Sequence, residues 1–253
     1  MPGDLTLTLA GEELVLMPER AIFRPSRAGG AGGTLYVADT HWGKAATFRA
    51  AGVAVPPGGT AADLARLSSA LERTGAERLV VLGDLLHARL GRNEAATNAA
   101  LAAWRERHAN LRIELVQGNH DRAAGAPDPA WRIATLPDPT PDPPFVLKHV
   151  PAPDPAGPVL AGHEHPAVRL AGPGGERLKL PCFRLAGEDG AGATLTLPAF
   201  SAFADGGGVR AVAGEKFWAI AEDEVLPVPM RKGSGGGSEV FAEAVRKSLS
   251  WER

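Results

Sequence analysis

Apolar positions along this chain form short runs that alternate or continue over four to six residues, interrupted by two longer stretches with helical spacing. Leu5 to Leu9 alternates with threonine, and Glu13 to Met17 runs apolar with β-formers, so the chain opens with short antiparallel strands. Thr34 to Ala38 is a further apolar strand, and Leu79 to Leu82 reads as a strand buried on both faces. Between them Leu64, Leu67 and Leu71 recur at helical spacing, with Thr60 as N-cap and Gly75 as the stop. Asn93 caps a second helix through about His108, with Leu101 and Trp104 on one face, and Leu111 to Val116 returns to a strand.

Strand and helix alternate here, which implies parallel βαβ units whose ligands gather outside the carboxyl ends of the strands. From Gly125 to Pro158 proline and aspartate crowd the chain, predicting mostly ordered loop around one short strand, Phe145 to Lys148. Beyond Gly162, the segments Ala167 to Leu170, Leu178 to Leu185, Ala193 to Leu197 and Lys216 to Ile220 predict antiparallel strands of a second sheet. Residues 1–232 then make one domain, and residues 233–238 have the composition of a flexible linker or of a segment added outside the fold. In residues 239–253, Val240, Phe241, Ala244, Val245 and Leu249 put one apolar face on a short helix. That tail packs on the domain or a neighbouring molecule, or else binds a partner.

At 253 residues and 44% hydrophobic content, the chain can bury one substantial core. A net charge of -2 supplies no global field for nucleic acid, although a local basic rim can hide in such an average. Cys182 is the single cysteine, so no internal disulfide forms, and it reads as a small buried residue. Acidic Asp4, Glu12 and Glu13 stand where a leader would be basic, and no apolar run nears the ~18 residues of a membrane span. The expectation is a cytoplasmic protein without membrane contact.

Six of the seven histidines lie in or beside short polar signatures, and these change the picture. They are Asp39-Thr40-His41, Gly83-Asp84 with His87, Gly118-Asn119-His120-Asp121, the isolated His149, and Gly162-His163-Glu164-His165. Imidazole with carboxylate is the ligand set of borderline divalent metals, and two adjacent cations are a common means of hydrolysing a phosphate ester. Asp39 and His41, two apart in an extended segment, would project alike toward one cation, and so would His163 and His165. Asp84 follows a buried strand and a glycine, so its two oxygens can bridge two cations. Asn119 can ligate through its amide oxygen, His120 can donate a proton, and Asp121 can fix the His120 tautomer. Each signature alone is weak, and a lone histidine is more often an ordinary surface or core residue. Ordinary packing, however, offers no reason for nearly every histidine to sit at a strand end.

This ordered set, over roughly Thr34 to Pro166, resembles the calcineurin-like metallophosphoesterase superfamily. Ala38-Asp39-Thr40-His41-Trp42-Gly43-Lys44 with Phe48-Arg49, Gly83-Asp84-Leu85-Leu86-His87, Gly162-His163-Glu164-His165-Pro166 and Leu180-Pro181-Cys182-Phe183 resemble the bacterial ligase-associated members. Those are DNA endonucleases found beside a large helicase and a DNA ligase in repair gene clusters. The resemblance implies an α/β fold, a sandwich of two β-sheets flanked by helices in four layers, α/β/β/α. It implies one metal held by Asp39, His41, Asp84 and His165, and another by Asp84, Asn119, His149 and His163. His120 would act on the leaving group with Asp121 behind it, and His87 would lie near the reacting phosphate. His149 has no local glycine signature, and is placed only by order and resemblance, with a strand-end histidine free of metal as its alternative. Glu164 should point away from the site.

Lys44, Arg49, Arg89 and Arg122 are the basic residues nearest the signatures; Lys44 and Arg49, inside the resembling stretch, are the expected phosphate contacts. Mixed nitrogen and oxygen ligands favour manganese, iron or zinc over calcium or magnesium, and two ions, manganese before iron or zinc, are expected. The function expected is in-line hydrolysis of DNA phosphodiesters by a water activated between two cations. A phosphoesterase for nucleotides or other small esters needs the same ligands. A non-catalytic scaffold of the same fold is the reading from another class, and it should have lost ligands that this chain keeps.

Overall fold

The structure is a computed structural model describing residues 3–26, 32–56, 58–89, 94–171, 177–188, 190–204, 206–208, 212 and 214–229. Seven strands make the first sheet in chain order: Leu5–Leu9 (β1), Glu12–Met17 (β2), Ala21–Pro25 (β3), Gly33–Val37 (β4), Arg78–Leu82 (β5), Arg112–Val116 (β6) and Ile133–Leu136 (β7). The pairing is antiparallel from β1 to β4 and parallel from β4 to β7. Among the described residues the helices are Lys44–Ala50 (α1), Gly59–Thr74 (α2), Ala95–Arg107 (α3) and Asn119–Ala124 (α4). Helices α1 and α2 cross from β4 to β5 and α3 crosses from β5 to β6, so the three parallel strands deliver their carboxyl ends to one edge.

The second sheet is built from Thr140–Asp142 (β8), Phe145–Lys148 (β9), Val159–Ala161 (β10), Pro166–Ala171 (β11), Arg177–Ala186 (β12), Thr194–Thr196 (β13), Gly207–Gly208 (β14), Lys216–Ala221 (β15) and Glu224–Val228 (β16). It is mixed: β10 runs parallel to both β9 and β13, whereas β12 pairs antiparallel with β11, β13 and β15. Period-two alternation divides the core. Leu35, Val37, Leu79, Val81, Ile113 and Leu115 face Leu64, Leu67, Leu71, Leu101 and Trp104 of α2 and α3. Tyr36, Val80, Leu82 and Val116 face the other way, against Phe145, Leu147, Leu160, Phe183, Leu195 and Trp218 of the second sheet. Each fully buried aliphatic side chain contributes about 1.5–3 kcal/mol of transfer free energy, so both interfaces hold the sheets firmly.

The fold is therefore a two-sheet α/β sandwich with helices on the outer face of the first sheet. On the outer face of the second lies a small cluster of Val146, Val159 and Ala161, with no helix over it among the described residues. The linker at 233–238, the tail at 239–253 and Asn93 fall outside those residues. Among the described residues no helix is long and apolar enough to cross a membrane.

Local expectations need three corrections. Thr60 is not a cap: α2 begins at Gly59 after Gly58, and the Thr60 hydroxyl instead accepts from the Gly43 amide at 3.3 Å, tying α2 to α1. Gly125 to Pro158 is mostly loop as expected, but it holds three short strands, β7, β8 and β9, where one was expected. Segment 194–196 is not purely antiparallel, since β13 also runs parallel to β10.

Candidate metal centre

The loops at the carboxyl ends of β4 and β5 are stitched together before any side chain takes part. Asp39 N donates to Gly83 O at 3.1 Å, His41 N to Asp84 O at 2.8 Å, and Trp42 N to Leu85 O at 2.8 Å, extending the parallel ladder beyond the strands. Along this seam the backbone is left-handed at Asp39 (φ 54), His41 (φ 44) and Asp84 (φ 52), and again at His163 (φ 71) and His165 (φ 48). Such conformations cost about 1–3 kcal/mol each in residues with a side chain, and persist where the surroundings over-determine them. The backbone here is thus not extended as expected; Asp39 and His41 still reach one group, whereas His163 and His165 part.

The turned backbone sends these side chains into two neighbouring groups. In the first, His165 Nε2 lies 3.3 Å from His41 Nε2 and 3.4 Å from Asp39 Oδ1. In the second, His149 Nε2 lies 2.9 Å from Asn119 Oδ1, 3.0 Å from His163 Nδ1 and 3.5 Å from Asp84 Oδ1. A hydrogen bond can satisfy only one such pair of acceptors, whereas a cation satisfies all of them. The groups are joined by the His163 amide, which donates to Asp39 Oδ2 at 2.8 Å. Asp39 Oδ1 is buried without a hydrogen-bond partner, a position that a cation would complete. Asp39, His41, Asp84 and His149 are buried, His165 is half-buried, and Asn119 and His163 are exposed on the open side.

Two signature glycines are there because side chains must come close. A Cβ on Gly83 (φ 82) would lie 2.0 Å from His149 Nδ1, and one on Gly118 would lie 2.1 Å from Asp84 Oδ1. His149 itself is oriented from behind: its Nδ1 donates to the Leu82 carbonyl at 3.1 Å, which turns Nε2 toward Asn119 and His163. Burial first, then the neighbouring His165 and Lys44, hold His41 neutral with a pKa lowered to about 2.

A solved structure shares this arrangement of sheets across nearly its whole length. The crystal structure of Pseudomonas putida nuclease MPE is 37% identical with a TM-score of 0.72, covering 89% of this chain and all of that one (100%). The chain belongs to the metallophosphoesterase family. It is a metal-dependent phosphoesterase. Weaker likenesses are to an Escherichia coli phosphoesterase, Yfce (16% identical, TM-score 0.38, covering 75% of this chain and 88% of that one), and to the Aquifex aeolicus protein of unknown function AQ665 (19%, 0.34, 52% and 78%). No protein-family profile and no curated protein matches the chain.

Around the metallophosphoesterase centre, several expected roles change. Asp121 does not orient His120: its carboxylate accepts from Gly118 N at 2.9 Å and Leu86 N at 3.2 Å, clamping the loops after β5 and β6 together. The partner of His120 Nδ1 is the His87 carbonyl at 2.9 Å, a backbone group that sequence patterns do not reveal. With that N–H committed, His120 Nε2 faces Asp84 Oδ2 at 3.9 Å. The His87 ring stacks on His120 with centroids 5.0 Å apart, and burial, with Lys44 and His120 adding to it, lowers its pKa to about 4. At neutral pH His87 is thus an uncharged ring and not an acid.

The guanidinium of Arg49 pairs through Nη2 with Glu94 at 2.5 Å at the start of α3. Lys44 is half-buried and close enough for its charge to depress both His41 and His87. Arg89 and Arg122 are exposed, the latter donating to Gln117 O at 3.3 Å. Glu164 turns outward to Arg184 at 2.6 Å, and His108 bonds to Ser68 Oγ at 2.8 Å behind the sheet.

Proposed function

We propose that this metallophosphoesterase is a binuclear DNA endonuclease of bacterial repair, working with manganese. The observation that carries the reading is the pair of adjoining ligand groups at the carboxyl ends of β4, β5 and β6. Asp39, His41, Asp84 and His165 would hold one cation, and Asp84, Asn119, His149 and His163 the other. The donor set fits: the buried Asp39 Oδ1 lacks a partner, and imidazole with carboxylate and amide oxygen favours manganese, iron or zinc over calcium or magnesium. When bound, such cations supply Lewis acidity to phosphate oxygens and an activated water at neutral pH.

The chain's own residues supply the rest. The His87 carbonyl keeps the proton on His120 Nδ1, so a second proton on Nε2 is the one released to the departing oxygen. Asp121 keeps that loop in place through backbone amides, and Lys44 adds positive charge beside the phosphate. DNA as substrate is supported by the nuclease relative and by the motifs from Ala38 to Arg49, which also favour a cytoplasmic setting beside a DNA ligase and a large helicase.

The test is hydrolysis of plasmid DNA, oligonucleotides and bis-p-nitrophenyl phosphate by the purified protein with manganese, iron, zinc, magnesium or calcium. Nicking of DNA under manganese that His120→Ala slows about 10²–10⁴-fold is expected. Turnover of the small ester without any DNA cleavage would make it a small-ester phosphodiesterase instead.

A further inference from the structure

Of the six large apolar side chains exposed among the described residues, two are phenylalanines, and these two touch. Phe48 on α1 is 36% exposed and Phe203, in the turn after β13, is 37% exposed. Their ring centroids lie 6.2 Å apart. Phe48 also lies parallel to His87, at 6.4 Å and 12°, and His87 stacks in turn on His120. A row of rings thus runs from solvent to the Asp84 carboxylate. About a third of each residue stays open to solvent, so the pair presents an apolar surface beside the centre.

Phe203 also borders a cavity of about 430 Å³ that reaches His165 and is lined by Arg20, Lys179 and Pro181. The volume is within the ~300–1,000 Å³ usual for ligand pockets, and His165 belongs both to it and to the first ligand group. The turn that carries Phe203 is held unusually tightly. Arg20 Nη1 donates to Ala199 O at 3.3 Å and Ser201 O at 3.0 Å, Ala202 N donates to Asp63 Oδ1 at 3.3 Å, and Arg66 donates to Phe200 O. Phe200 N donates to Ala38 O at 2.7 Å and Ser201 N to Asp39 O at 3.3 Å, so the turn is tied to the segment bearing the metal ligands. Burying Asp63 and most of Arg20 to hold a surface turn costs desolvation that a plain connection would not require.

We propose that Phe203 and Phe48 form a stacking step for the nucleobase of a nucleotide flanking the scissile phosphate, with the strand continuing over the cavity beside His165. Apolar rings recognise the face of any base, and the cations at the cavity suit the backbone phosphate that follows. The base presented is one in a single strand or one swung out of a duplex, since only then is its face open. The inference rests on the nuclease reading above.

Oligonucleotides carrying one abasic position, moved step by step past the cut, test it with the manganese-loaded protein by binding anisotropy and by kcat/KM. One abasic position next to the cut should weaken binding and kcat/KM about tenfold, within the ~1–3 kcal/mol of a base on an aromatic ring. In Phe203→Ala and Phe48→Ala that penalty should vanish, intact and abasic strands behaving alike, while Phe203→Trp should keep it. Thermal melting of the three variants identifies any that fail to fold, and the tryptophan variant carries the comparison. Cleavage with no abasic penalty at any position, or a penalty that survives both alanine variants, overturns the stacking step and leaves the nuclease reading standing. An abasic penalty on binding without cleavage keeps the step and sinks that reading.

Discussion

The two ends of the same parallel strands treat buried charge in opposite ways. Toward the amino ends, Glu114 and Asp142 are both buried, yet each is matched: Arg78 lies 2.7 Å from Glu114 and 2.9 Å from Asp142, Arg112 pairs with Glu114, and Arg24 lies 3.4 Å from Asp142. Tyr36 adds a hydrogen bond to Asp142 at 2.5 Å, and burial followed by that carboxylate pushes its phenol well up. At the carboxyl ends Asp39 and Asp84 are as deeply buried, but imidazoles face them and, among the described residues, no arginine pairs with them. The first arrangement is closed and complete. The second brings carboxylate, amide and imidazole ligand atoms together, an arrangement that suits a divalent cation.

That contrast can be broken at either end. Asp84→Ala should have the largest effect, lowering phosphodiester hydrolysis about a thousandfold or more without lowering the melting temperature of the metal-free protein. An enzyme keeping a tenth of its activity would show that Asp84 is not at the centre. Arg78→Met should do the reverse, because removing one partner of a buried ion pair costs about 3–5 kcal/mol. Urea unfolding should register the loss while turnover per folded molecule stays the same.

Metal should raise stability through the carboxyl end alone. At a hundred times its dissociation constant an ion adds about 2.7 kcal/mol, and scanning calorimetry should show this gain in wild type and Arg78→Met but a reduced one in Asp84→Ala. The smallest effect is with pH. His87 has a folded pKa of about 4, below the unfolded value near 6.5, so the unfolded chain binds more protons between these limits. Its contribution is complete above about pH 6.5 and is lost as pH falls through about 4. The metal-free protein should therefore melt lower across this window, and His87→Gln should flatten the slope; an unchanged slope would remove His87 as its cause.

Much of the site was legible because its chemistry lies in side chains at strand ends. The apolar runs before Asp39, Asp84 and Asn119 mark strands, and a glycine beside a ligand marks a close approach. What stayed hidden depends on groups without a sequence signal. The carbonyls of Leu82 and His87 orient His149 and His120, yet any residue has a carbonyl. Arg49 looked available because its partner, Glu94, lies 45 residues away. Asp121 beside His120 suggested an imidazole partner, whereas helix α4 turns the two side chains apart.

From its sequence alone this protein's class of chemistry was determined: hydrophobic periodicity sets the strand and helix order, and that order places histidines and carboxylates at one edge of a sheet. Only the tertiary structure decided which of them meet. Left-handed turns keep Asp39 and His41 together with His165 in one group and send His163 to the other. A turn held by Arg20 and Asp63 brings Phe203 from the far side of the chain to Phe48. Local pattern encodes which face a side chain takes, but a contact between distant segments exists only once packing has fixed the distance between them.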